Sequence, residues 1–395
     1  MKRKLSLWTL ILFGLSLLLA ACSGNQVDET SGSDKKPAKE AAEHEKPKEP
    51  NITKQTITLS AIGDMLIHSR VYNDARTKSG EFDFHPMLKR VQPYLNNTTI
   101  TFANQETMIG GEVLGLSNYP TFNSPQAVGD ALKEAGVDVV SLANNHTLDG
   151  GEEAIQSAIK HWEKIDMMYT GSYKSESDRN DVRVHETRQG ISVAFLAYTY
   201  GTNGIPVPSG KGYLVNLIDK EKMSKRIKTA NQQADAVVLS LHYGDQYERM
   251  PSNEQKDLVQ FAADNGVDVV LGHHPHVLQP IDWIKGEDGH RMLAIYSLGN
   301  FLSGQDEFYR RIGGVFKFTM EKTVKGGQET VQVKAPKFLP TFVKFRNQAN
   351  YEVAPMYELT NNELADSQQH YQEIKSHMSQ WVPELEFIEK PLEND

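Results

Sequence analysis

Several side chains in this sequence are of the kinds that hold a transition metal, and three histidines fall almost together. Residues 269–276 read Val-Val-Leu-Gly-His-His-Pro-His: an apolar run ends in a glycine and feeds His273, His274 and His276. His274 and His276 are two apart, so an extended backbone would turn both to one side. Two neutral imidazoles on one side of a strand end suit a transition metal; a loop that is merely His-rich reads the same way in isolation. Further candidates follow other short apolar runs. Asp64 comes after residues 57–62, Glu106 after 98–103, Asn145 and His146 after 137–142, and His242 after 236–241. Carboxylate, amide oxygen and imidazole together suit Mn, Fe or Zn. A carboxylate can bridge two such ions about 3.5–4 Å apart, a pair that activates water and clamps a phosphoryl group. His146, next to a candidate ligand, suits a general acid that protonates a leaving oxygen. Asp149 either orients His146 by accepting its other N–H or caps the next helix. His68, four residues beyond Asp64, lies near it or faces solvent.

The elements that must position these residues read as alternating strands and helices. Strands are expected over 57–62, 98–103, 137–142, 191–197, 236–241, 267–271 and 292–298. Helices are expected over 84–95, interrupted by Pro93, over 124–135 with Ser124 as cap, over 149–165, and over 254–264. Five separate strands each deliver Asp, Glu, Asn or His just past their end, and ligand sites of open α/β sheets gather outside the carboxyl ends of strands. Residues 107–123 are Gly-rich and irregular, a loop over the site. The loop at 198–204, with Tyr198, Tyr200 and Asn203, and Asn300 after the last strand are places to meet a substrate, although pattern alone assigns them no role. Two stretches echo each other: Gly136-Val137-Asp138-Val139-Val140 precedes Asn145-His146, and Gly266-Val267-Asp268-Val269-Val270 precedes the histidine cluster. After about residue 345 the character changes. Leu364, Tyr371, Ile374, Met378 and Trp381 form one stripe of a helix packed on the main domain.

Composition bounds the partners. A net charge of −9 over 395 residues gives no basic excess for nucleic acid. Cys22 is the one cysteine, so an intrachain disulfide and a thiolate metal site are both excluded. Lys2, Arg3 and Lys4 precede an apolar run over 5–18, the pattern of a secretory signal, and that run is shorter than the roughly 20 residues a membrane span needs. Residues 23–54 are rich in Lys, Glu, Ser, Pro and Gly and read as a flexible tether reaching about 30 Å.

Two resemblances follow from these residues. Leu19-Ala20-Ala21-Cys22 resembles a bacterial lipobox, which implies a signal peptide over 1–21, lipid on Cys22 and a place on the extracytoplasmic face of the cell membrane. Gly63-Asp64, Asn104-Gln105-Glu106, Asn144-Asn145-His146-Thr147-Leu148-Asp149, His242-Tyr243-Gly244, Gly272-His273-His274-Pro275-His276 and Ser297-Leu298-Gly299-Asn300-Phe301 come in the order of the capsule-biosynthesis CapA family, the poly-γ-glutamate synthesis proteins, which are similar to calcineurin-like metallophosphatases. The resemblance implies an α/β four-layer sandwich, two mixed sheets flanked by helices, over 55–345, with a C-terminal helical extension over 346–395. It implies a divalent metal site, one ion or two, at Asp64, Glu106, Asn145, His242, His274 and His276, with His146 and Asp149 as catalytic residues and His273 a bystander. Its partners would be membrane-embedded capsule synthase subunits, and its ligand poly-γ-glutamate or a phosphoester. Two departures stand out: Met65-Leu66 replaces the expected Asp-x-His pattern after Asp64, and Glu106 stands where an aspartate bridges the metals. A metal-dependent hydrolase acting on another envelope substrate and a non-catalytic metal-binding lipoprotein are the alternatives.

Overall fold

Strand β1 (Ile52–Leu66) opens the part of the chain that the computed structural model describes, residues 52–391. Its first residues, 52–56, are largely exposed, whereas its second half, from Leu59 through Asp64 to Leu66, is buried throughout. Three short helices follow, α1 (Ser69–Asp74), α2 (His85–Leu88) and α3 (Gln92–Leu95). Pro86 and Pro93 sit in the first turns of α2 and α3, where a missing N–H costs least. Pro93 thus starts a second helix, and the one helix expected over 84–95 is two. Next come β2 (Ile100–Asn104), α4 (Ala127–Glu134), β3 (Val139–Ser141), α5 (Gly151–Lys164), β4 (Met168–Thr170), α6 (Glu176–Asn180) and β5 (Arg183–Glu186). Ser124 does not cap α4: the helix begins at Ala127, and the Ser124 hydroxyl bonds Thr107 instead. A second alternation runs β6 (Ser192–Thr199), α7 (Lys220–Gln233), β7 (Ala236–His242), α8 (Asn253–Asp264) and β8 (Val269–His273). The chain then forms β9 (Leu278–Lys285), β10 (Arg291–Leu298), β11 (Asn300–Ser303), β12 (Ile312–Lys325), β13 (Gln328–Arg346), β14 (Ala349–Pro355), α9 (Ser367–Met378) and β15 (Glu386–Phe387).

The strands make two mixed sheets. One runs β14-β13-β12-β1-β2-β3-β4, with β11 also on β1 and β15 on β13; the other runs β5-β6-β7-β8-β10-β9. Within them β1, β2, β3 and β4 are parallel, as are β6, β7, β8 and β10. Three apolar layers show how they stack. Leu59, Phe102 and Phe316 of the first sheet meet Phe195, Val238 and Ile295 of the second in one layer. A second layer joins the other face of the first sheet to α4 and α5 through Val140, Leu132 and Trp162. A third joins the second sheet to α7 and α8 through Leu239, Ile227 and Val259. Helix, sheet, sheet, helix is the four-layer arrangement expected.

The expected boundaries shift at both ends. Residues 52–54, assigned to the tether, begin β1 because they pair with β12. The line drawn at 345 cuts β13, and β14 beyond it belongs to the first sheet. α9 is not an appendage: Tyr371, Ile374 and Met378 are buried in the layer that lies between the sheets. The signal peptide, Cys22 and the tether up to residue 51 lie outside the described residues. No helix among the described residues is long and apolar enough to cross a membrane.

Candidate metal centre

The carboxyl ends of the parallel strands in the two sheets converge, and the site is built where they meet. From the first sheet, β1 brings Asp64, the turn after β2 brings Glu106, and the turn after β3 brings Asn145 and His146. From the second, β7 brings His242, and the loop after β8 brings His274 and His276. All seven are buried. Two glycines permit the convergence. A Cβ on Gly63 would meet the Gly299 carbonyl oxygen at 2.0 Å, and one on Gly272 the Tyr296 carbonyl oxygen at 1.9 Å.

Glu106, His274 and His276 present ligand atoms that all lie within 4.8 Å of one another. His276 Nδ1 is 3.7 Å from Glu106 and 3.2 Å from Asp64. His242 Nε2 is 3.8 Å from Glu106 and 2.9 Å from the Asn145 Oδ1 that accepts its hydrogen bond. The extended-strand reason for pairing His274 with His276 is corrected here. β8 ends at His273, and His274 and His276 have φ of 95° and 58°. Left-handed backbone, not strand alternation, brings their rings to 5.7 Å. Such conformations in non-glycine residues cost about 1–3 kcal/mol each and persist where the surroundings over-determine them.

His273 is likewise not a bystander. It is fully buried, its ring stacks on Phe102 and its Nδ1 lies 3.3 Å from Asp64. His68 does not take the missing first-motif position. Its Nδ1 faces Leu66 O at 3.0 Å and Gly304 N at 3.2 Å, and its ring packs edge-on against Phe122 at the cavity wall.

The electrostatics fit a cation. Burial pushes the Glu106 carboxyl up to about 8, and its two oxygens are buried without a hydrogen-bond partner. Burial, helped by the neighbouring His276 charge, holds His274 down at about 3, so it presents a neutral imidazole. Burial lowers His242 as well, with His274 beside it adding to the effect. Asp64 would be raised by burial, but the His273 and His276 rings close beside it hold it well below the ordinary carboxylate range. Burial opposes the charge on His276, yet Glu106 and Asp64 outweigh it and carry it to about 9. A buried carboxyl with no hydrogen-bond partner, beside the neutral imidazoles of His274 and His242, is a donor set that a divalent cation would fit.

Behind the cluster stand its supports. Asn104 donates to Asp64 Oδ1 at 2.8 Å, and Asn300 Oδ1 lies 3.1 Å from His276 Nδ1. Asn300 therefore supports His276 and does not line the cavity. Asp149 Oδ2 accepts from His146 Nδ1 at 2.6 Å and from the Phe122 N–H at 2.7 Å. The alternative role as a cap falls away, since Gly150 occupies that position on α5. With its Nδ1 hydrogen on Asp149, His146 keeps Nε2 for other work. Asn203 Oδ1 accepts from the Asn145 amide at 3.2 Å. Beside these residues opens a cavity of about 680 Å³, lined by Asn145, His146, His274, His276, Tyr200 and Asn203 among others. Tyr198 is not among them: it is buried in the layer between the second sheet and α7. The expected loop over the site is there, as Tyr119, Pro120 and Phe122 wall the cavity. Sequence reading missed Phe122 and Tyr247, and it named Asn104 only within the Asn104-Gln105-Glu106 stretch, without its role of holding Asp64.

A family described as bacterial capsule synthesis protein PGA_cap has a sequence model that matches residues 58–305. Capsule biosynthesis protein CapA of Bacillus anthracis is 29% identical over 263 residues, 64% of this chain and 61% of that protein's length. PGA biosynthesis protein CapA of Bacillus subtilis strain 168 is 25% identical over 316 residues, 77% of this chain and 78% of that one. The crystal structure of calcineurin-like phosphoesterase YfkN from Bacillus subtilis aligns with a TM-score of 0.44 and 15% identity, over 82% of this chain and 99% of that one.

Proposed function

Because this chain belongs to the bacterial capsule synthesis protein family PGA_cap, we propose that it serves the synthesis or export of a poly-γ-glutamate capsule from the outer face of the cell membrane, held there by lipid on Cys22, with a divalent cation in the Glu106, His274 and His276 cluster. The names of the Bacillus relatives support the capsule role. The Glu106 carboxyl, buried without a hydrogen-bond partner beside His274 and His276, is the single observation that carries the metal. Asp64, His242 and Asn145 complete its surroundings, and Mn, Fe and Zn all suit this donor set. Partners would be the membrane-embedded subunits of the synthase.

The site also supports hydrolysis of a phosphoester, and the 2.6 Å His146–Asp149 contact favours that reading over a passive metal site. A divalent cation there would supply Lewis acidity toward a phosphoryl oxygen. The chain's own residues do the rest. Asp149 fixes the orientation of the His146 ring through Nδ1, which leaves Nε2 to pass a proton to the leaving oxygen. Burial of the cluster keeps bulk water from screening it.

Elemental analysis of the purified protein tests the metal: at least one equivalent is expected, and His274→Ala should lose it. Metal-free wild-type protein after growth with Mn, Fe and Zn would end this reading. Deleting the gene should abolish polymer at the cell surface. If Asp64→Ala, His242→Ala and His274→Ala all restore it, the domain is a scaffold. Turnover of a generic phosphoester that His146→Ala leaves unchanged would remove the hydrolase reading alone.

A further inference from the structure

The mouth of the cavity is furnished in a way that a metal centre does not require. Among the described residues, seven large apolar side chains stand exposed, and three of them, Tyr119, Tyr200 and Tyr247, line this one cavity. Exposed apolar surface gathered at one place marks a binding site more often than chance. Each ring has its own rigid support. Tyr119 meets Phe122 at 6.4 Å, and Phe122 meets His146 edge-on at 4.8 Å. Tyr200 lies 4.7 Å from the His274 ring. Tyr247 lies 6.0 Å from the His276 ring, its N–H donates to the Pro275 carbonyl at 2.8 Å, and the Arg310 guanidinium sits 3.4 Å over it. Tyr247 adopts φ 71°, a strained backbone for an aromatic residue. The fold accepts that strain to hold a half-open ring in place.

The charge of the mouth narrows what the rings receive. Among the described residues no lysine or arginine lines the cavity, whereas Asp245 does. Arg310, stacked on Tyr247, is already paired with Glu307 at 3.0 Å. At the mouth, away from the histidines at the deep end, a chain of glutamates, one carboxylate per unit, would meet the Asp245 carboxylate and no lysine or arginine of the lining. An uncharged ring with C–H faces and hydroxyls meets what it needs: aromatic faces for its C–H groups, and for its hydroxyls the Gln246 amide together with the remaining hydrogen-bond capacity of Asn203 and Gln305, which also bond within the protein. We propose that this mouth binds a saccharide unit, so that the ligand of the site is a sugar-bearing molecule and not the polyglutamate chain itself. Placing that sugar on the leaving side of a scissile ester rests on the hydrolase reading above; the binding of the sugar does not.

Titration calorimetry on the full chain, loaded with Mn, tests this with four probes: a neutral N-acetylglucosamine tetramer, glycerol 3-phosphate, adenosine monophosphate and a γ-linked glutamate oligomer. The tetramer should bind saturably. Tyr119→Ala and Tyr247→Ala should each weaken it about tenfold, Tyr247→Phe should retain it, and metal content should stay at the wild-type level in all three. No tetramer binding, binding indifferent to the loss of either ring, or a preference for the glutamate oligomer or for adenosine monophosphate would overturn the proposal. Glycerol 3-phosphate reports on the deep end alone. If it fails to bind while the tetramer binds, the hydrolase reading falls and the saccharide mouth stands.

Discussion

Glu106 shows most plainly what one residue costs and what it is kept for. A fully buried carboxylate with two partnerless oxygens works against folding of the metal-free chain. Its retention makes sense when a cation completes it, and this separates two measurements that ordinary packing would move together. Glu106→Gln should leave the melting temperature of the metal-free protein unchanged or raise it, because the desolvation penalty is gone. The same substitution should weaken metal binding by tenfold or more. Added metal stabilises whatever binds it by mass action, so the rise in melting temperature on adding Mn to chelator-treated protein should be seen in wild type and be absent in Glu106→Gln. A large destabilisation of the metal-free variant would show that the carboxylate has a structural partner instead.

At the scale of elements, short repeated devices hold the strand ends in register. The echo in the sequence has a structural counterpart. Asp138 Oδ2 accepts the Thr101 N–H at 2.9 Å, and Asp268 Oδ2 accepts the Val237 N–H at 2.8 Å. In each unit an aspartate at the start of one strand ties down the neighbouring strand, after a glycine at positive φ (Gly136, 94°; Gly266, 80°). A second device joins the turn between α2 and α3 to β13, β14 and the segment before α9. Arg90 contacts Glu352, Glu358 and Glu363, and Lys344 contacts Glu352 and Glu363. The Lys344 ammonium, with hydrogen bonds from Thr360, holds Glu363 down at about 2 against an ordinary 4.5. A depressed carboxyl stabilises the fold above the unfolded-state value and loses that contribution as pH falls toward the folded one. Glu363→Gln should therefore cost about 1 kcal/mol at neutral pH, small because the side chain is partly in solvent. In urea melts the gap between variant and wild type should narrow as pH drops from 4.5 toward 2; a gap independent of pH would assign the loss to packing.

For the whole molecule, the question is whether the C-terminal segment is part of one cooperative unit. β14 lies at the edge of the first sheet, β15 pairs with β13, and α9 buries Ile374 and Met378 beside residues from both sheets. Trp381 reaches the outer layer of the second sheet, edge-on to Tyr296 at 5.9 Å. Ile374→Ala should then cost about 2–5 kcal/mol, as for any core aliphatic, and should lower the midpoint of the single unfolding transition of the folded domain. A separate early transition for the C-terminus, with the rest unchanged, would instead make α9 an independent appendage.

By itself the sequence determined which chemistry was available. With one cysteine, at position 22, any metal donors would have to be His, Asp, Glu and Asn, and the strand-then-donor pattern named Asp64, Glu106, Asn145, His242, His274 and His276, which the fold brings together. It also placed the core strands at 236–241 and 292–298 nearly to the residue, because strands buried on both faces read as unbroken apolar runs. Two long strands escaped it: β12 and β13 alternate lysine, threonine and glutamate with apolar residues, and their partner strands, not their composition, make them strands. Tertiary structure alone decided that Asp149 serves His146, that His273 touches Asp64, that His68 stays out of the cluster and that Tyr198 faces the core. Each is a question of which way a side chain turns, and that is fixed by neighbours far away in sequence. It also decided that His274 and His276 converge through left-handed backbone. Nothing local favours that conformation, and it holds because the ends of two sheets close around it.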